Sequence, residues 1–251
     1  MIPDDWITLI RALNKADCTK YDGIIVTHGS DTLAYTAACI SFCFAHCLRP
    51  IVMTASNYPL EDPRSNGLRN FANAVDLILD EPLPGIFVVF ENDRGESVVH
   101  LGSRLMQALP FTDQFDSTYS VPFGRMAGGR FVWNDHPLNP TADQLKAPRR
   151  QAFMPEQIRF STDLLYIRPY PGLDYRFYDF TRIRPRAVLH DLYHSGTAAA
   201  GESEAHSLKR FIRSCSAYGI KVYIAPLKDR NGDLYASSVE LIEAGAVPIE
   251  H

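Results

Sequence analysis

An apolar run, Gly23-Ile24-Ile25-Val26, breaks off into Thr27-His28-Gly29-Ser30-Asp31-Thr32, and an apolar-rich segment resumes from Leu33 to Cys47. A short continuous apolar stretch closed by small polar residues predicts a buried strand, a tight loop and a helix. The pattern recurs downstream. Pro50-Ile51-Val52-Met53-Thr54 reads as a second buried strand, residues 55–64 as its polar loop, and residues 65–79 as a helix with Leu68, Phe71, Ala72, Val75 and Leu79 on one side. Residues 85–90, Gly-Ile-Phe-Val-Val-Phe, read as a third strand. Upstream, Trp6, Ile7, Leu9, Ile10 and Leu13 suit a short amphipathic helix, with Asp4 or Asp5 near its start. The order βαβα predicts a parallel sheet with right-handed crossovers.

From residue 92 to 130 the pattern shortens into glycine-punctuated pieces, with strands expected at 97–101 and 130–133. Residues rich in proline and polar side chains then divide the chain into a first domain at 1–134, a linker at 135–161 and a second domain at 162–251. In that second part, strands are expected at 162–167, 187–192 and 221–224, the last closed by Pro226. Helices are expected at 201–218 and 237–244, and Asn231-Gly232 reads as a turn. The fold class is therefore α/β, a parallel-sheet first domain followed by a smaller α/β second domain.

Composition narrows the function without naming it. Of 251 residues, 46% are hydrophobic and 22% charged, with a net charge of −4 and no block of like charges. Nothing in that balance points to nucleic acid or to an anionic membrane, and a small molecule is the expected partner. The amino terminus carries no basic region followed by an apolar core, and no apolar run is long enough to span a bilayer, so a cytoplasmic setting is expected. Five cysteines include Cys39, Cys43 and Cys47 at helical spacing, which cannot by themselves surround a tetrahedral ion. They are expected to be reduced small hydrophobes, and no metal site is expected.

The loop itself invites chemistry. In an open α/β sheet, ligands bind beyond the carboxyl ends of strands, where a helix start offers unpaired N–H groups. Ser30 and Asp31 lie there, although either could instead serve as a helix cap. Asp62 or Ser65 is expected to cap the helix that follows, with Arg64 pairing locally.

The string Thr27-His28-Gly29-Ser30-Asp31-Thr32 resembles the T-H-G-T-D-T signature of the bacterial-type L-asparaginases. Further strings follow in the family's order. Residues 51–60 and 62–67 resemble V-x-L-T-G-A-Q-x-P-L and D-x-R-S-D-G, residues 83–90 resemble the next strand, and Phe115-Asp116-Ser117 resembles D-A-F-x-S. The resemblance implies a flavodoxin-like amino-terminal domain lacking its first βα unit, followed by a smaller α/β domain. Met1-Ile2-Pro3-Asp4-Asp5-Trp6 resembles the end of D-S-x-x-M-x-P-x-D-W, and residues 241–248 resemble a point short of the family's end, so the chain is expected to be cut at both termini.

What the resemblance implies chemically is hydrolysis of L-asparagine to L-aspartate and ammonia without a cofactor, with L-glutamine as the second candidate substrate. Ser30 and Asp31 take the places of the family's threonine and aspartate, serine keeping the hydroxyl and Asp31 binding the substrate's α-ammonium. Thr27, Gly29 and Ala55 join them as substrate-binding candidates, and His28 as a structural hydrogen-bonder or base. No T-G-G-T-I nucleophile loop occurs in the chain, and the family's lysine position, three residues after the arginine of Gly102-Ser103-Arg104, is Gln107; no lysine lies between Lys20 and Lys146. Arg104 is the cation that could substitute. A homodimer or homotetramer is implied, with the active site near a subunit boundary. The alternative is a catalytically silent amino-acid binder acting as a sensor or assembly partner.

Overall fold

The computed structural model describes residues 1–147, 158–227 and 234–250. The chain divides into two compact units, Met1–Arg159 and Phe160–His251. The first unit runs α1 (Pro3–Ala16), β1 (Ile24–Thr27), α2 (Leu33–Cys43), β2 (Pro50–Thr54), α3 (Gly67–Asp80) and β3 (Gly85–Glu91). It continues through β4 (Ser97–Leu101), β5 (Leu105–Met106), β6 (Asp116–Ser117), β7 (Gly124–Ala127), β8 (Arg130–Trp133) and α4 (Ala142–Lys146).

Its six-stranded sheet has the order β1-β2-β3-β4-β7-β8. The first three strands are parallel, Ile24 beside Ile51 and Ile51 beside Ile86. Every residue of β2 is buried, which is why its sequence is uninterruptedly apolar. The second half is antiparallel, and its strands are held by stacked rings, with Phe123 5.3 Å from both Phe87 and Phe131 and 5.0 Å from Trp133. Gly124 is required there, because a Cβ would meet the Phe131 ring at 2.5 Å.

The expected handedness needs correction. On one face α3 buries Ala74, Leu77 and Ile78 against Val52, Phe87 and Val89. On the other face, Ala37 and Ser41 of α2 crowd Gly102 together with Ile86. Two crossovers that step the same way along β1-β2-β3 from opposite faces have opposite hands, so right-handedness does not hold for both. The stripe Leu68, Phe71 and Leu79 of α3 also faces solvent. The buried side is set instead by Asn70, which is fully buried and bridges two strand ends. Ser65 accepts from the Gly67 N–H at 3.2 Å, and Arg64 grips Asp62 through two hydrogen bonds. Within residues 135–147, expected as linker, α4 buries Leu145 in the first unit's core; 148–157 lie outside the described residues.

The second unit carries β9 (Leu164–Ile167), β10 (Ala187–Asp191), α5 (Leu208–Ala217), β11 (Lys221–Leu227), α6 (Ala236–Glu243) and β12 (Val247–Glu250). All four strands are parallel, in the order β12-β11-β10-β9. The helix expected from 201 begins only at Leu208, because Ser207 accepts from the Arg210 N–H and caps it there. Pro226 does not close β11. The strand passes through it to Leu227 with a shifted register against β12, which spares the missing donor. The Asn231-Gly232 turn lies outside the described residues.

Each unit buries a histidine. In the first, His100 Nδ1 and Ser117 Oγ are 2.8 Å apart. In the second, His190 Nδ1 donates to the Asp191 carbonyl at 2.5 Å, so its Nε2 accepts from the Tyr175 hydroxyl at 2.9 Å. Burial pushes both rings down from 6.5 to about 4. Between those values the unfolded chain binds more protons than the folded one, so stability present above pH 6.5 is lost as pH falls towards 4. Denaturant midpoints should fall across that window, and His100→Asn with His190→Asn should flatten the decline; an unchanged slope in the double variant would exclude these rings as its cause.

Candidate functional site

The loop after β1 is built by register. Thr27 pairs with Thr54, and the His28 N–H donates to the Thr54 carbonyl at 2.9 Å. Thr54 Oγ1 donates to the Val89 carbonyl at 2.8 Å, so the carboxyl ends of β1, β2 and β3 are joined in a row. Behind them, Asn70 Nδ2 donates to the Ala55 carbonyl at 2.9 Å while its Oδ1 accepts the Glu91 N–H at 2.8 Å. Asn66 adds a bond to the Glu91 carbonyl at 3.1 Å, and the Asn57 and Asn66 side-chain carbonyls each accept the other residue's backbone N–H.

Ser30–Thr32 forms a single 3-10 turn that runs into α2, with the Leu33 N–H donating to the Ser30 carbonyl. Neither the turn nor the start of α2 is capped by a side chain. The Ser30 hydroxyl, half-buried, and the Asp31 carboxylate, exposed, make no hydrogen bond among the described residues. This separates the loop from Asp17, Asp62 and Asp174, whose carboxylates bind nearby backbone N–H groups or cations. Gly29 is extended, at φ −81° and ψ 145°, and a Cβ there would meet nothing within 4 Å. The backbone does not require glycine at this point.

His28 is half-buried. Its Nδ1 donates to the Gly29 carbonyl at 2.7 Å, which leaves Nε2 as an acceptor, shielded from solvent and without a partner among the described residues. Gln107 lies against the first turn of α2, its Oε1 3.4 Å from the Tyr35 hydroxyl. Arg104 is directed elsewhere, donating to the Leu138 carbonyl at 2.7 Å. The structure thus groups Thr27, His28, Gly29, Ser30, Asp31 and Ala55 at one sheet end, sets Gln107 beside the same helix, and commits Arg104 to the 138–139 segment. Among the described residues, no group of histidine, cysteine or acidic side chains could hold a metal ion.

Sequence reasoning passed over Thr54, Asn70 and Tyr35. Thr54 could have been found as the hydroxyl that ends an otherwise apolar strand. Asn70 leaves a weaker mark, a lone amide in an amphipathic helix. The loop between β5 and β6 is tied to the site's surround by Asp113, which accepts from Asn57 Nδ2 at 2.5 Å and whose N–H donates to Asp93 at 2.9 Å.

The family model described as "Asparaginase, N-terminal" matches residues 1–139, more than half of the chain. The chain belongs to the asparaginase family. An L-asparaginase of Thermococcus kodakarensis is 37% identical over 116 residues, covering 44% of this chain and 35% of that protein. A glutamyl-tRNA(Gln) amidotransferase subunit of Saccharolobus islandicus is 24% identical over 259 residues, covering all of this chain and 55% of that protein. The solved structure of the thermostable L-asparaginase from Thermococcus kodakarensis superimposes with a TM-score of 0.74 at 25% identity, over 99% of this chain and 70% of that one. The chain thus spans about a third to about half of the curated relatives it matches.

The row of strand ends behind the Thr27–Thr32 loop rests on Asn70. Asn70→Ala removes both of its bonds and leaves the Ala55 carbonyl and the Glu91 N–H unsatisfied, at a cost of about 3 kcal/mol. Urea unfolding should show that loss, whereas Gln107→Ala, which removes one long and exposed bond, should leave the midpoint within about 0.5 kcal/mol of the parent.

Proposed function

We propose that this chain carries the amide-hydrolysing half-site of an L-asparaginase, acting on L-asparagine and, as a second candidate, on L-glutamine. The observation that carries the reading is the uncommitted pair Ser30 and Asp31, next to Gly29 at the carboxyl end of a parallel strand. Asp31 is the counter-ion for a substrate α-ammonium, in a charge-assisted hydrogen bond. Ser30 supplies a hydroxyl that hydrogen-bonds the substrate or relays a proton. Thr27, Gly29 and Ala55 are the further substrate-binding candidates at the same sheet end, and His28 holds the loop through its Gly29 bond. No cofactor enters this chemistry.

A silent amino-acid binder is the second reading, favoured by Gln107. An amide against Tyr35 can hold geometry but carries no charge and moves no proton at neutral pH, and Arg104 is bonded away. Binding needs only Asp31 and the loop, so loss of turnover would leave recognition intact. The same proposal includes a cytoplasmic setting, where Cys39, Cys43, Cys47 and Cys215 stay as free thiols, and a homodimer or homotetramer as the working assembly.

Ammonia release from L-asparagine and from L-glutamine, measured beside calorimetric binding of L-aspartate, tests both readings. Release of ammonia supports the hydrolase, binding without release supports the silent binder, and neither result from folded protein refutes both. Asp31→Ala should weaken L-aspartate binding by about 10- to 100-fold, the worth of one charged hydrogen bond; unchanged affinity removes Asp31 from the site. Gly29→Ala should leave thermal stability equal or slightly raised, because its Cβ enters open space, and should lower affinity where the proposed substrate lies against this loop.

A further inference from the structure

The segment 107–115 joins β5 to β6 and is tied down at both ends. At one end Gln107 meets Tyr35, on the first turn of the helix that follows Ser30 and Asp31. At the other end Asp113 accepts from Asn57 Nδ2 at 2.5 Å, and Asn57 lies in the loop that follows β2 and Ala55. The buried Phe115 then packs edge-on against Phe90 of β3, with ring centroids 4.8 Å apart. Residues 108–112 therefore bridge the elements that leave β1 and β2, the two strands whose ends carry Ser30, Asp31 and Ala55.

The crest of this bridge is a tight turn. The Thr112 N–H and hydroxyl both donate to the Leu109 carbonyl, at 3.3 and 3.1 Å, with Pro110 in second place and Phe111 in third. Phe111 has a φ of 62°. Proline suits the second place of such a turn, whereas a positive φ in the third place favours glycine or asparagine. A bulky side chain there is strained, and strain of this kind is normally held by packing. None is present here. Phe111 is fully exposed and makes no ring contact among the described residues. The turn is closed by its own bonds, so the ring adds nothing to the fold of the segment.

We propose that Phe111 is the cover of the Ser30–Asp31 site: when the amino acid binds, the 108–112 crest folds over it and lays the ring on the ligand. The inference rests on the amino-acid site of the proposed function and adds to it a means of excluding water. An exposed ring can move onto a ligand without first breaking packing, and it gains apolar burial when it arrives. Under the cover, the pairing of Asp31 with an α-ammonium group strengthens because less water screens it. The ties at Gln107 and Asp113 hold the two ends in place while the crest moves.

Titration of L-aspartate into the Phe111→Trp variant, read by calorimetry and by tryptophan emission against the background of Trp6 and Trp133, separates the cover from the site. Emission should shift to shorter wavelength in proportion to the heat of binding. Heat without a shift overturns the cover and leaves the site standing, and no heat from the parent protein overturns both. Phe111→Asn, which suits the positive φ, should keep or raise the melting temperature. It should also raise the L-aspartate dissociation constant about 10-fold, mainly through faster release, whereas Phe111→Tyr should bind as the parent does. An asparagine variant that binds as tightly as the parent would overturn the cover as well.

Discussion

Thr54 and Asn70 tie the ends of three parallel strands, and the Thr27–Thr32 loop keeps its place because those ends are held level. Parallel strands approach one another through evenly slanted bonds, and their carboxyl ends leave carbonyls and N–H groups that helices alone do not satisfy. Here the Thr54 hydroxyl takes the Val89 carbonyl, and one buried amide serves both the Ala55 carbonyl and the Glu91 N–H. With those demands met internally, the Thr27–Thr32 loop can leave its own polar groups free. Ser30 and Asp31 stay uncommitted among the described residues while their neighbours satisfy the backbone around them.

The same arrangement explains the asymmetry between the two sides of the sheet. Asn70 turns α3 so that Leu68, Phe71 and Leu79 face outward. On the opposite face, α2 lies between α1 and the short β5–β6 ribbon and retains an apolar outer surface. The loop geometry and this helix are coupled, since Ser30–Thr32 runs directly into α2 and Tyr35, on its first turn, meets Gln107 from the ribbon. A contact made on the outer face of α2 therefore bears on the element that carries Ser30 and Asp31.

Much of this was legible in the chain. The runs 50–54 and 85–90 are apolar because their strands are covered on both faces, whereas β1, expected as buried, lies at the sheet edge and is only half-buried. Arg64 pairs locally with Asp62, as the spacing suggested, but neither Asp62 nor Ser65 is the cap of α3: its N-cap is Asn66, without a side-chain cap bond. The loop of Ser30 and Asp31 was found because polar residues after an apolar run stand out. What escaped were the features that depend on who lies opposite. Apolar spacing on α3 marks two stripes, and only Asn70's partners decide which one turns inward. Pro226 ends a strand in most sheets, and it survives in β11 because the register against β12 shifts at that point.

By itself the sequence determined the α/β class, the positions of the three parallel strands of the first sheet and the polar loop after the first of them, since each follows from local polarity and chain direction. Tertiary structure decided the opposite hands of the two crossovers, the commitment of Arg104 to Leu138, and the meeting of Gln107 with Tyr35 across 72 positions of chain. Those are relations between segments that no local pattern encodes, because the energy of a hydrogen bond or a buried face belongs to the pair and not to either partner.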